Sequence, residues 1–118
     1  MPAKRVLIVE DQFLISEFLN VWIDAFGHEV VGIAATCDDA IAHACDHRPD
    51  LILMDIQLEG VLTGIDAALA ILETYPARIV YVTAASDSAR LKRLGIETPE
   101  ILPKPVDPEA LRRILEDC

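Results

Sequence analysis

The chain has 118 residues, of which 53% are hydrophobic and 25% are charged, and its formal net charge is −10. This length fits one domain with a packed core, and the longest apolar runs fall well short of the ~20 residues of a membrane span. The acidic surface would be repelled by a phosphate backbone, which argues against direct nucleic-acid binding.

The N-terminus and the cysteines favour a cytoplasmic protein. A basic pair precedes only a very short apolar stretch, which is not typical of a signal peptide. Cys37, Cys45 and Cys118 are odd in number and form no CxxC pair, as expected of free thiols. His43 and His47 have the i,i+4 spacing of a metal-binding pair, but a metal site there is disfavoured because the intervening Cys45 points elsewhere on the helix.

The first half of the chain alternates short apolar runs with amphipathic runs. These runs predict strands over 5–9 and 29–35 and helices over 13–26 and 38–47. Gly27 follows the first helix, where a residue with positive φ is favoured, and Thr36 and Pro49 frame the second helix. The first helix has an apolar stripe made of Ile15, Phe18, Leu19, Trp22, Ile23 and Phe26.

The second half of the chain repeats this alternation. It predicts strands over 51–54, 78–82 and 100–102, and helices over 64–75 and 87–94. A final helix begins at Pro108, with Asp107 as its N-cap. Alternating strands and helices indicate an α/β fold with a doubly wound, five-stranded parallel sheet. We expect the flavodoxin-like strand order 2-1-3-4-5, which places a ligand site beyond the tips of strands 1 and 3.

Polar side chains stand where the apolar strands end. They are Glu10, Asp11, Asp55, Thr83 and Lys104. Two carboxylates about 4 Å apart repel each other by roughly 4 kcal/mol at an effective dielectric of 20, so such a cluster needs a cation or a shifted pKa. Carboxylate oxygens suit Mg²⁺, a lysine and a hydroxyl suit a phosphate, and one carboxylate would remain as a nucleophile.

Four motifs resemble the receiver domain of two-component response regulators. They are VLIVED (6–11), LILMD (51–55), VTA (82–84) and KP (104–105). Each motif is weak alone, but they occur in order and with the spacing of that family over essentially the whole chain. The resemblance implies one receiver domain over residues 1–118. We expect it to stand alone, without an output domain.

The resemblance also implies a role for each residue of the site. Asp55 would accept the phosphoryl group, Thr83 would hydrogen-bond that group after transfer, and Lys104 would pair with the carboxylate and then the phosphate. The implied Mg²⁺ ligands are Asp11, Asp55 and the backbone carbonyl of Gln57, with Glu10 acting through water. The family further implies a small residue at Ala84 and a cis peptide bond between Lys104 and Pro105.

Two positions depart from the pattern of the family. Ile101 stands where receivers usually carry a switch aromatic, three residues before the lysine. Tyr81 could replace that aromatic, although a buried strand residue is the favoured interpretation. The loop after Asp55 is one residue longer than usual, with Gly60 as the extra residue. Gln57 lies two residues after Asp55, and we hypothesise that it tunes the lifetime of the phosphate.

The expected function is that of a phosphoacceptor. A histidine kinase or a histidine phosphotransfer protein would phosphorylate Asp55 in a Mg²⁺-dependent reaction, and a protein-interaction surface would switch. Phe13, Leu14 and Val21 lie outside the apolar stripe of the first helix and would suit docking of the kinase, although ordinary partial burial is the favoured interpretation. We expect a monomer or a weak homodimer, with a downstream protein partner that the sequence does not name.

Three alternatives remain open from the sequence. The chain could be a binding module that works without phosphorylation, which Ile101 permits, or a receiver fragment of a longer DNA-binding regulator. A dedicated phosphatase with an aspartate nucleophile is disfavoured. Such an enzyme needs a second acid two residues after the nucleophile, and the carboxamide of Gln57 cannot protonate a leaving group. Only self-catalysed phosphotransfer and dephosphorylation are expected.

Overall fold

The computed structural model describes residues 3–93, 96 and 99–117, with the backbone alone at 85, 86 and 88. Strands and helices alternate along this part of the chain. They are β1 (Arg5–Val9), α1 (Phe13–Ala25), β2 (Glu29–Ala34), α2 (Cys37–His47), β3 (Leu51–Asp55), α3 (Gly64–Leu72), β4 (Ile79–Thr83), α4 (Ala85–Arg93), β5 (Glu100–Pro103) and α5 (Pro108–Glu116). Among the described helices, none has the length and apolar character that crossing a membrane requires.

The five strands form one parallel sheet in the order β2-β1-β3-β4-β5, which confirms the predicted doubly wound fold. β1 lies directly beside β3, with Val9 opposite Met54. The residues that follow these two strands therefore emerge at the same edge of the sheet. β3 runs one residue further than predicted and includes Asp55.

The strands are apolar throughout because both faces of the sheet are covered. Alternate residues of β1 enter two separate cores: Val6 and Ile8 face one, and Leu7 and Val9 face the other. The first core contains α1 and α5 residues and the second contains α2, α3 and α4 residues. The helix residues buried in them are Leu19, Ile23, Leu111 and Leu115 in the first, and Ala40, Ala44, Ile71 and Leu91 in the second.

Local hydrogen bonds decide several helix ends. The Thr36 hydroxyl accepts from the Asp39 N–H and begins α2, and Arg48 ends it with a φ of 43°. Helix α3 ends at Leu72 rather than 75, because the Thr74 hydroxyl and N–H both donate to the Ile71 carbonyl. For α4, the predicted end at 94 lies outside the described residues.

Helix α1 corrects one detail of the predicted apolar stripe. Leu19 and Ile23 are fully buried, but Phe18 is 57% exposed. Its ring stacks on Trp22 at the margin of the stripe, with the ring centroids 5.9 Å apart. Phe13, Leu14 and Val21 are all more than half exposed, as their positions off the stripe predict.

Candidate functional site

The carboxyl ends of β1, β3 and β5 bring the predicted site residues to one edge of the sheet. Asp55 ends β3 and is only 5% exposed, and Glu10 follows β1 with 3% exposure. An open cavity of about 250 Å³ lies over Asp55. Its described lining residues are Asp11, Gln12, Asp55, Gln57, Ala84, Asp87 and Lys104.

Three acidic residues converge in this site, as the strand order predicts. Glu10, Asp11 and Asp55 each offer a carboxylate oxygen within 4.8 Å of the others. Asp11 is exposed, whereas Glu10 and Asp55 are buried. Within the described part of the chain, no other group of three or more acidic, histidine or cysteine residues comes this close together. The cluster therefore combines a desolvated pair of carboxylates with a third that faces solvent.

Lys104 partly offsets this negative charge. Its Nζ lies 3.2 Å from Asp55 Oδ2 and 3.2 Å from Glu10 Oε1. The Lys104 N–H donates to the Thr83 carbonyl at 3.0 Å, and the peptide bond to Pro105 is cis, as the resemblance implies. Burial lowers the pKa of Lys104, but attraction to Asp55 and Glu10 outweighs that effect and leaves the pKa raised. The ammonium group is therefore charged at neutral pH.

The electrostatic environment of Glu10 is the most perturbed in the site. Burial, a hydrogen bond with Asp55 and the negative charge of Asp55 raise the pKa of Glu10 to about 7. Its Oε2 accepts from the Gln12 N–H at 3.1 Å, which works in the opposite direction. Its Oε1 is buried and faces Lys104 Nζ at 3.2 Å. The positive charge of Lys104 also lowers the pKa of Glu10, but burial and Asp55 outweigh it.

Thr83 and Ala84 stand at the end of β4. Thr83 is buried, and its Oγ1 donates to the Ala84 carbonyl at 3.4 Å. It is not one of the described residues that line the cavity, whereas the exposed Ala84 is. The phosphate contact predicted for Thr83 would therefore require a movement of its side chain or of its loop. That role stays a prediction.

Gln57 connects Asp55 to a residue that sequence reasoning missed. Its N–H lies 3.3 Å from Asp55 Oδ1, and its side-chain Nε2 lies 3.4 Å from Asp87 Oδ2. Asp87 belongs to the first turn of α4 and lines the same cavity as Asp11 and Asp55. It follows Thr83 by four residues, and no motif in the sequence singles it out.

Gly64 explains how the long loop after Asp55 closes. Its N–H donates to the Ile56 carbonyl at 2.7 Å, and a Cβ on Gly64 would lie 1.8 Å from the Asp55 carbonyl oxygen. Only glycine fits this approach without displacing backbone. Gly60, at the tip of the loop, has a φ of +101° and open space around its α-carbon. The Thr63 and Asp66 capping box then begins α3.

Ile101 and Tyr81 pack in the same core, on adjacent strands. Ile101 lies opposite Tyr81 and is half-buried. Tyr81 is 3% exposed, and burial raises the pKa of its hydroxyl to about 12. The structure thus describes Tyr81 as a core residue, in agreement with the favoured interpretation.

Among the described residues, no histidine or cysteine joins the acidic cluster. The rings of His43 and His47 stack with centroids 5.8 Å apart on the surface of α2. Cys37 is buried and Cys45 is exposed, and both are free thiols. Cys118 lies outside the described residues.

Comparisons with known proteins agree with this geometry. The family model described as the response regulator receiver domain matches residues 6–116. The phyllosphere-induced regulator PhyR of Methylorubrum extorquens is 33% identical over 120 residues, covering 98% of this chain and 43% of that protein. The transcriptional regulatory protein PdtaR of Mycobacterium tuberculosis is 39% identical over 90 residues, covering 76% of this chain and 43% of that protein. The chain therefore spans less than half the length of these curated relatives.

Solved structures show the same fold. The response regulator PhyR from Brucella abortus superposes with a TM-score of 0.79 at 37% identity, covering 94% of this chain and 45% of that one. The receiver (REC) domain of Erythrobacter litoralis PhyR superposes with a TM-score of 0.81 at 34% identity, covering 96% and 87% of the two chains. The matched family, the strand order and the arrangement of the acidic edge show that this chain belongs to the response regulator receiver domain family.

Proposed function

We propose that this chain is a phosphoacceptor of a two-component phosphorelay and that Asp55 carries the phosphoryl group. One observation supports this most strongly. Asp55 ends the central strand inside an open cavity, with Lys104 Nζ at 3.2 Å and two further carboxylates within 4.8 Å. A buried carboxylate cluster of this kind costs stability, which makes a catalytic role the better explanation.

The proposed reaction transfers a phosphoryl group from a phosphohistidine donor. An oxygen of the Asp55 carboxylate attacks phosphorus, the O–P bond forms, and the N–P bond to the donor imidazole breaks. The released imidazole takes a proton from solvent. Hydrolysis ends the phosphorylated state. A water molecule attacks phosphorus, the bond between phosphorus and the Asp55 oxygen breaks, and the carboxylate and inorganic phosphate are regenerated. The ammonium group of Lys104 stabilises the anionic oxygens throughout.

The donor set fits a divalent metal ion. Asp11 and Asp55 would hold Mg²⁺ together with the Gln57 backbone carbonyl, and Glu10 would act through water. The convergence of three carboxylates, each with an oxygen within 4.8 Å of the others, favours such a cation. When bound, Mg²⁺ would neutralise charge that develops on the phosphoryl oxygens.

The proposed output is a change of a protein-interaction surface. A phosphoryl group adds roughly −1.5 to −2 charges and three acceptor oxygens, which would attract Thr83 and its loop. That movement would shift the equilibrium between two conformations of the surface formed by α4, β5 and α5. Ile101 lacks the hydroxyl of the usual switch aromatic, so the coupling would depend on packing against Tyr81 rather than on a moving ring.

The proposed donor is a histidine kinase or a histidine phosphotransfer protein, and we propose that the chain acts in the cytoplasm with it. An apolar groove of about 220 Å³ lies between α1 and the loop after β5. It shares Lys104 with the acidic cavity, so a helix docked there would bring its histidine near Asp55. The exposed Phe13 and Leu14 would extend that contact.

The relatives suggest what the output contact could be. One matched structure is titled anti-anti-sigma factor PhyR, from Bartonella quintana, and this chain covers 45% of it at 36% identity. By analogy, the proposed output of this receiver is a protein contact rather than a reaction. We do not propose a dedicated enzyme, because Gln57 cannot serve as the general acid of an aspartate phosphatase.

The test is the intact mass after incubation with acetyl phosphate and Mg²⁺. The wild type should gain one phosphoryl group, EDTA should prevent the gain, and Asp55→Ala should show none. If neither acetyl phosphate nor a phosphorylated histidine donor modifies Asp55, the proposal is wrong. Ile101 then favours the second candidate, a binding module that works without phosphorylation.

A further inference from the structure

A side-chain contact joins two segments that line the acidic cavity. Gln57 belongs to the loop after β3, and Asp87 belongs to the first turn of α4. Gln57 Nε2 donates to Asp87 Oδ2 at 3.4 Å, so a carboxamide and a carboxylate meet in the lining of the cavity that contains Asp55. The contact is long for a hydrogen bond, and it should break readily when another acceptor competes for the same donor.

Both oxygens of Asp87 are engaged. Oδ2 accepts from Gln57, while Oδ1 lies 3.8 Å from Arg90 NH1 one helical turn later. The backbone N–H of Asp87 donates to the Ala84 carbonyl at 3.0 Å, which ties this turn to the end of β4. Its side chain is only 17% exposed. These contacts direct one Asp87 carboxylate oxygen to Gln57 and the other to Arg90, and Asp87 lines the cavity.

Asp87 also adds a fourth carboxylate to a cavity that must admit an anionic group. Glu10, Asp11 and Asp55 already converge in the same site. A phosphoryl group on Asp55 would present three acceptor oxygens close to the Gln57 N–H, which lies 3.3 Å from Asp55 Oδ1. Because Gln57 lines the same cavity as Asp55, the phosphoryl oxygens would also compete with the Asp87 carboxylate for the side-chain N–H groups of Gln57.

We propose that Asp87 is a positioning residue that holds the Gln57 side chain across the cavity mouth in the unphosphorylated chain and loses it to the phosphoryl group on Asp55. This inference rests on the proposed function and deepens it. The contact restricts entry of the donor before transfer. Its loss frees the first turn of α4, which begins directly after the Thr83 and Ala84 segment. The site would thereby couple to α4 without a switch aromatic.

Four variants separate the contact from the charge. Asp87→Ala removes both, and Asp87→Asn removes the charge but keeps an acceptor oxygen for Gln57. Gln57→Ala removes the donor, and the double variant Gln57→Ala/Asp87→Ala completes a double-mutant cycle. Asp46→Asn is the charge control, because Asp46 is exposed near the end of α2 and away from the cavity. All five proteins are tested as full chains with acetyl phosphate and Mg²⁺.

The expected result has two parts. In the unphosphorylated proteins, the side-chain amide signals of Gln57 in ¹H–¹⁵N spectra should shift in Asp87→Ala but not in Asp46→Asn. The rate of phosphoryl uptake should rise about fivefold in both Gln57→Ala and Asp87→Ala, as expected for loss of one hydrogen bond. The double variant should equal the faster single variant, and Asp87→Asn should show a smaller rise than Asp87→Ala.

Each contrary result has its own meaning. Unchanged Gln57 amide signals in Asp87→Ala would overturn the contact, whether or not Asp55 is phosphorylated. Additive effects in the double variant, or equal rises in Asp87→Asn and Asp87→Ala, would overturn the positioning role and leave only the charge. Absence of uptake by the wild type would overturn the proposed function and, with it, this inference. Normal wild-type uptake with no change in the variants would overturn the inference alone.

Discussion

Lys104 Nζ lies 3.2 Å from Asp55 Oδ2, and this ion pair joins the end of β5 to the end of β3. The Asp55 side chain is 6% exposed and that of Lys104 is 23% exposed. The same Nζ contacts Glu10 Oε1, so one cation serves two desolvated carboxylates. Removing one partner of a buried ion pair costs more than the pair itself contributes, because the remaining charge stays in the interior.

Lys104→Met should therefore destabilise the chain at neutral pH. We expect a loss of about 2 kcal/mol in the free energy of unfolding, less than for a fully buried pair because Lys104 is partly exposed. Urea denaturation at pH 7.5 without Mg²⁺ measures this loss in the free energy of unfolding. Lys92→Met, at an exposed position of α4, should change the value by less than about 0.5 kcal/mol. Equal stability of the two variants would contradict a structural role of the pair.

Gly64→Ala should disturb the tip of β3. The added Cβ would collide with the backbone carbonyl of Asp55, and no flexible side chain can move aside. We expect a loss of about 3 kcal/mol in stability and a slower phosphoryl uptake, because the collision displaces Asp55 itself. Urea denaturation and uptake from acetyl phosphate measure the two effects.

Gly60→Ala is the matched control in the same loop. Its φ of +101° makes an alanine there strained, at about 1 kcal/mol or more, but its Cβ would meet nothing within 4 Å. Uptake of the phosphoryl group should therefore stay normal. A larger effect on phosphoryl uptake from Gly60→Ala than from Gly64→Ala would contradict this explanation. It would show that mobility of the loop, rather than the close packing of Gly64 against the Asp55 carbonyl, controls uptake.

The raised pKa of Glu10 predicts an unusual dependence of stability on pH. Because folding raises the pKa from 4.5 to about 7, the protonated group stabilises the fold below pH 4.5, and this contribution is lost as the pH rises through about 7. Its size should be on the order of 2 kcal/mol. Urea denaturation without Mg²⁺ at pH 5.0 and 7.5 measures it.

Glu10→Gln should flatten this pH dependence, whereas Glu73→Gln, at the exposed end of α3, should not. Added Mg²⁺ should raise the melting temperature more at pH 7.5 than at pH 5.0, because the cation competes with the proton on Glu10. A stability that rises between pH 5.0 and 7.5 in the wild type, with the rise absent in Glu10→Gln, would contradict the predicted sign.

Leu14→Asp should separate docking of the histidine kinase from the phosphorylation of Asp55 itself. Leu14 is 70% exposed on α1, so the substitution should leave stability and uptake from acetyl phosphate unchanged. Uptake from a histidine kinase that phosphorylates the wild type should fall about tenfold, as expected for a charge placed in an apolar interface. Leu69→Asp provides the control, because Leu69 is 46% exposed on α3. Normal transfer from the kinase to Leu14→Asp would rule out docking at this position.

The patterns that were predicted correctly are those with a short-range physical cause. Apolar runs of four or five residues are too short for buried helices, so β1 and β3 are recognisable from their length, and β1 also from its β-branched residues. Thr36 and Asp107 cap helices as predicted, because a cap needs only a side-chain oxygen and a nearby N–H. The end of α3 was predicted three residues too late, because its side chains continue an apolar period beyond Leu72 while Thr74 binds the Ile71 carbonyl.

Hydrophobic periodicity predicts neither the exposure of Phe18 nor the contact made by Asp87. Phe18 lies on the predicted stripe of α1, but its ring reaches the margin of the helix and stays 57% exposed beside Trp22. Asp87 has no recognisable motif, and its importance comes from Gln57, 30 residues away in the chain. A contact of this range depends on how the loop after β3 and the start of α4 meet, which no local pattern encodes.

Strand length, hydrophobic period and the polar residue after each strand are local properties, so they predict the parallel sheet and the acidic edge from the sequence alone. The strand order follows from the common order of this fold class. The contacts within the acidic edge depend on tertiary packing. It brought Lys104 between two carboxylates, raised the pKa of Glu10 by desolvation and set Gly64 against the Asp55 carbonyl. These features depend on distances of a few ångströms between residues far apart in the chain, and such distances exist only once the two cores are packed.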